Sequence, residues 1–143
     1  MLALTCALAS VALAGCGSDA EVEKSTADVA ETVRELQSAM KEETSAVKAG
    51  DARAETENVQ LVAQVSHERL TKLAQRAPAD TQDFADAAET WAKAVLTSRS
   101  AVLAGTDEAT GAAAMLNLRL AAKEMDAEAS RLHVTPWRRL DQY

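Results

Sequence analysis

The most chemically suggestive stretch of the chain is His67-Glu68-Arg69-Leu70. A zinc-protease helix carries His-Glu-x-x-His, two imidazoles one turn apart that bind the metal and a glutamate that activates water. The fifth position here is Thr71, so the second imidazole is missing and the motif fails. A di-iron helical bundle instead needs a Glu three residues before each liganding histidine. Gln64 and Ser130 stand at those positions ahead of His67 and His133, so neither pair exists. His67, next to Glu68 and Arg69, reads as a solvated helix residue. His133 reads as a partner for the last carbonyls of its helix, where a cation is favoured.

Other reaction chemistry is equally thin. No Gly-x-Ser-x-Gly elbow and no phosphate-cradling glycine loop occurs in the chain. Glu21, Glu23, Asp28, Glu31 and Glu35 line one segment, and an acidic run of this kind reads as a solvated helix face. A weak divalent-cation surface is the functional alternative there. The expectation is therefore no catalytic residue, no metal site, no cofactor and no enzymatic activity.

The C-terminal stretch Thr135-Pro-Trp-Arg-Arg-Leu-Asp-Gln-Tyr143 is richer. Trp137 and Tyr143 suit the headgroup region of a bilayer, and Arg138 and Arg139 suit anionic lipid. Two readings stay open. In one, Trp137, Arg138, Arg139 and Tyr143 rest on a membrane; in the other, Trp137 and Leu140 plug the open end of a core.

These residues must be positioned by helices. Ala, Glu, Leu, Lys, Arg and Gln dominate, Ile is absent, aromatic residues are 3% of the chain, and only 5 Gly and 2 Pro interrupt it. Punctuation cuts the chain into four segments of similar length. The first, 21–49, stops at Gly50, and Val22, Val29, Val33, Leu36, Met40 and Val47 form its stripe. The second, 52–77, opens after Asp51 and ends before Pro78, with Val59, Val62, Ser66, Leu70, Leu73 and Ala77 on one face. The third, 81–104, is capped by Asp80 or Thr81 and carries Phe84, Ala88, Trp91, Val95, Ser98 and Val102. The fourth, 107–133, is capped by Thr106; Met115, Leu118, Ala122, Met125, Ala129 and Leu132 form its stripe, widened by Leu116 and Leu120.

Links this short force antiparallel neighbours. The pattern predicts an all-α, up-down-up-down antiparallel four-helix bundle over 21–133 with a tail at 134–143. A break at Gly50-Asp51 is preferred to one fused rod, which would expose a long apolar stripe. Ala-rich stripes allow close helix approach, so the core should be tight, with Phe84 and Trp91 as its bulk.

Ahead of the bundle, Met1 to Gly15 is an uncharged apolar run, and the first charge is Asp19. It is too short for a membrane span of about 20 residues, but it matches the length of a signal-peptide apolar region. Leu13-Ala14-Gly15-Cys16 resembles the lipobox of bacterial lipoproteins: an apolar residue, two small residues, then cysteine. The resemblance implies a diacylglyceryl group on the Cys16 thiol and cleavage between Gly15 and Cys16. Residues 1–15 would then be a signal peptide and 16–20 a short lipidated tether. Nothing basic precedes Lys24, so the usual basic start implies an initiation codon further upstream. Cys6 would leave with the leader, and no thiol would remain for a disulfide.

The net charge of −7 argues against nucleic acid and against broad adhesion to an anionic membrane. The expected partners are the lipid bilayer, through the Cys16 lipid, and an envelope protein. The expected location is the extracytoplasmic face of the cell membrane, or the outer membrane of a Gram-negative host, since Gly17 and not Asp follows Cys16. The expected role is a helical interaction or scaffold module. A bundle that binds a small ligand or cation is the alternative.

Overall fold

A backbone turn at Gly50, with φ of 87°, separates the first two helices and excludes a fused rod. The computed structural model describes residues 19–50, 52–135 and 137–140. Among them are four helices and no strand: α1 (Asp19–Ala49), α2 (Ala52–Ala74), α3 (Ala79–Ala104) and α4 (Glu108–Arg131). They form an all-α antiparallel four-helix bundle.

Cross-helix contacts fix the register. Ser25 meets Thr81, and Glu43 meets Arg99; both pairs are 56 residues apart, so α1 and α3 run parallel. Arg69 on α2 reaches Glu35 on α1 at 3.4 Å. Gln60 bonds Ser100, while Gln82 bonds the Ala74 carbonyl, which sets α2 antiparallel to α3.

The helix ends show where local rules and tertiary contacts meet. α2 stops at Ala74, three residues earlier than the spacing suggests. The N–H groups of Arg76 and Ala77 turn to carbonyls three residues back, because Pro78 disfavours a helical residue before it. α3 starts at Ala79 after Pro78, and neither Asp80 nor Thr81 is its cap. Thr81 is buried instead, and its hydroxyl bonds the Pro78 carbonyl and Ser25. α4 is capped by Asp107 rather than Thr106, the carboxylate accepting the Thr110 N–H at 3.0 Å. Gly105, at φ 62°, closes α3 in the left-handed region. His133 does the same for α4 at φ 53°, with Val134 N–H bonded to the Ala129 carbonyl.

The core follows the apolar stripes at the middle of each helix. Val29, Val33, Leu36 and Met40 of α1, with Val59 and Leu70 of α2, are fully buried. So are Phe84, Trp91 and Val95 of α3 and Met125 of α4. The stripes open at the far end, where Val47 and Val102 are exposed. Burial of side chains of this size contributes about 1.5–3 kcal/mol each.

α3 packs on α2 and α4 and also on α1, whereas α1 and α4 barely approach each other. The segment after α4 folds back into that seam. Gln37 on α1 donates to the Arg138 carbonyl at 2.9 Å, and Asp126 on α4 accepts the Leu140 N–H at 2.9 Å. Leu140 is buried, and Trp137 packs its ring edge-on to Phe84 with centroids 6.0 Å apart.

Candidate interaction surface

His67 is not a solvated residue. It is half-buried between α2 and α3, and its Nε2 lies 2.7 Å from Glu89 Oε1. A carboxylate can only accept, so Nε2 donates. Thr71 donates to the His67 carbonyl at 2.9 Å and approaches the same Glu89 oxygen at 3.5 Å. The hydroxyl is thus engaged with the backbone one turn earlier, and the cluster ties two helices together. Among the described residues no group of three or more His, Cys, Asp or Glu side chains is arranged to hold a metal ion.

His133 acts through its main chain. Its N–H donates to the Ser130 carbonyl, and its side chain is exposed beside an open groove of about 470 Å³. That groove runs between the first half of α1 and the segment after α4, lined by Val22, Thr26, Ala30, Arg34, Leu132 and His133 among others.

The tail residues separate. Trp137 turns inward, and its indole N–H donates to Asp126 at 3.0 Å. Arg138 and Arg139 are exposed, and Tyr143 lies outside the described residues. The tail runs away from the end of the bundle where α1 begins. Trp137 and Leu140 therefore fill the side of the core between α1 and α4 rather than its open end. The lipobox residues Leu13 to Cys16 also lie outside the described residues. No described helix is long and apolar enough to cross a membrane.

The outer faces of α4 and α2 carry what the core does not use. Leu116 and Leu120 do not widen the buried stripe: they are 58% and 55% exposed. α4 rests on α3 through Ala114, Leu118, Ala121 and Met125, and successive residues on a helix turn by about 100°. Leu116 therefore projects away from α3, and Leu120 lies beside it at the edge of the open groove between α3 and α4. Ala109, Ala113, Leu116, Leu120, Lys123 and Ala127, all exposed, step by four and three along that side. On α2, Leu61 and Val65 are 63% and 65% exposed, one turn apart on its outer face.

Arg119 and Glu124 flank the α4 stripe, and neither enters a hydrogen bond or ion pair among the described residues. The readable signal for them is a second four-and-three repeat laid beside the core repeat on one helix. A helix that is apolar on two sides has one side too many for a single partner helix. No family model, curated protein or solved structure matches the chain.

Proposed function

We propose that this chain is a lipid-anchored, extracytoplasmic helical module whose exposed helix faces dock a protein partner of the cell envelope. The observation that carries the docking is the apolar face of α4, Leu116 and Leu120 with their flanking alanines, left in solvent by the bundle's own packing. Exposed apolar residues set in a row mark interaction sites far better than scattered ones. The lipobox at Leu13 to Cys16 supports the anchoring, since two acyl chains suffice for stable membrane attachment. α1 begins at Asp19, only three residues after Cys16, which would seat the start of α1 and the end of α4 at the bilayer.

The anchoring is tested by expressing the chain and its Cys16→Ser variant in a bacterial host and separating membranes from soluble fractions. The expected result is a membrane-bound protein whose N-terminal peptide begins at a diacylglyceryl-modified Cys16, with Cys16→Ser released from the membrane. A soluble wild-type protein that keeps residues 1–15 would overturn it.

A second reading rests on the open groove beside α1, where apolar Val22, Ala30 and Leu132 meet polar Thr26, Arg34 and His133. Mixed lining of this sort suits a small amphipathic ligand. Native mass spectrometry of the protein purified gently from its host separates the two. A co-purifying polypeptide supports the docking module, and a retained mass of a few hundred daltons supports the ligand module.

A further inference from the structure

We infer that the protein partner of α4 is a second copy of this chain, joined through a parallel, in-register pairing of the two α4 outer faces. This rests on the docking role proposed above and names its partner. The steps Ala109, Ala113, Leu116, Leu120, Lys123, Ala127 alternate four and three without a slip, which is the seam of a two-stranded coiled coil. A core-packing helix keeps the same spacing, but α4 already spends its other side on α3.

Charge selects the orientation. With Leu120 and Leu116 on the seam, Arg119 precedes one seam position and Glu124 follows the next. In a parallel pair such residues, five apart, meet across the interface, so Arg119 of each chain faces the partner's Glu124. Both are exposed, and neither has a hydrogen-bond or ion-pair partner among the described residues. An antiparallel pairing through the same leucines would place Arg119 against the partner's Arg119. Lys123 falls on the seam, and its methylene stem can lie along the apolar surface with the ammonium carried out to water. It also disfavours burying the seam in a larger bundle.

A seam of about five turns buries on the order of 1,000 Å² in total, the low end for a specific contact. The contact is therefore weak in solution and strengthened where copies share one surface. Two chains anchored by the same end on one membrane present α4 in the same direction, and tethering raises their effective concentration. The outer face of α2 does not compete on the same terms. The corresponding flanking positions there are occupied by Gln64 and Arg69, and Arg69 already pairs with Glu35 and Glu31 on α1.

The test uses residues 17–143, which contain every described part of the bundle and no cysteine. Sedimentation equilibrium should show concentration-dependent dimers. Leu116→Glu with Leu120→Glu should remove them, with helicity retained, whereas Leu61→Glu with Val65→Glu should not. Arg119→Glu should weaken association about threefold to tenfold, and adding Glu124→Arg to the same chain should restore it. The orientation is read by disulfide formation in a thiol buffer. Ala127→Cys should link to itself, faster than Leu61→Cys, because like residues face each other only in a parallel pair. A monomer at the highest attainable concentration, or Ala127→Cys linking only to Ala109→Cys, overturns the inference. These readouts do not involve Cys16. Dimers with an unlipidated wild type would overturn the anchoring alone, and lipidation with no dimers would overturn the pairing alone.

Discussion

The carboxylate of Asp126 holds the indole N–H of Trp137 at 3.0 Å, and its two oxygens share the backbone N–H of Leu140 at 2.9 and 3.0 Å. Asp126 is buried at the rim of the core, and hydrogen bonds to a charged acceptor are worth about 1.5–3 kcal/mol each in measured cases. This one side chain therefore fastens the return segment into the seam that α1 and α4 leave between them.

Asp126→Ala should release that segment while the four helices stay formed. The expected loss is about 2–3 kcal/mol in urea unfolding, with Trp137 emission shifted to the red. A Trp91→Phe background isolates the signal, since Trp91 is the other tryptophan and is fully buried. Unchanged stability and emission would show that the tail is held without Asp126, by the Gln37 bond and the apolar contacts with Phe84.

Glu43 and Arg99 clamp α1 to α3. Glu43 Oε2 accepts from both Arg99 Nε at 2.9 Å and a terminal nitrogen at 2.6 Å, with side chains only 8% and 12% exposed. Glu43→Ala leaves a mostly buried guanidinium without its carboxylate, at the edge of an open groove, and should cost about 1–3 kcal/mol. Replacing both at once, Glu43→Leu with Arg99→Met, should recover most of that loss, because two apolar side chains need no pairing. Urea unfolding of the three proteins checks it; equal losses in the single and double variants would contradict it.

Much of this architecture is legible in the sequence. The stripes Val29, Val33, Leu36, Met40 and Phe84, Ala88, Trp91, Val95 read directly as buried helix faces because each step of three or four returns to the same side. α4 is harder, since it carries two such stripes and periodicity cannot say which one meets α3. Alanines at 114, 121 and 122 allow the close approach that decides it. That Trp137 and Leu140 fill the core is one of the readings the tail's composition allows, but their place in the seam is not legible locally, because Gln37 and Arg138 are 101 residues apart. A local sign of that place is Asp126, a carboxylate beside Met125 at the edge of an apolar stripe, which must find N–H donors or water.

Gly105 and Gly111 both have open space where a Cβ would sit, so any difference between them on substitution comes from the backbone. Gly105 has φ of 62°, where an L side chain costs about 1–2 kcal/mol, so Gly105→Ala should destabilise by that order. Gly111 lies inside α4 in ordinary helical conformation, and Gly111→Ala should stabilise by about 0.5–1 kcal/mol. His133→Gly should also stabilise, because a non-glycine residue occupies φ 53° there. Thermal unfolding of the three variants gives the signs; a loss at Gly111 would contradict the open space at its Cβ position.

The cap of α4 carries a pH dependence of known sign. The Thr110 hydroxyl, and then its backbone N–H, hold the Asp107 carboxyl below its ordinary value. Folding therefore favours the ionised form, so the contribution is present above the unfolded carboxyl range near about 4. It is lost as pH falls through the depressed folded value. Asp107 is fully exposed, so solvent and salt weaken the effect. Asp107→Asn keeps a side-chain oxygen for the Thr110 N–H but cannot titrate. Urea unfolding of wild type and variant should show the wild type more stable near neutral pH and the two curves converging in acid. The other carboxylates titrate in both proteins and cancel in the comparison. Curves that stay parallel down to the acid limit would mean that the charge at Asp107 adds nothing to the cap beyond its hydrogen bond.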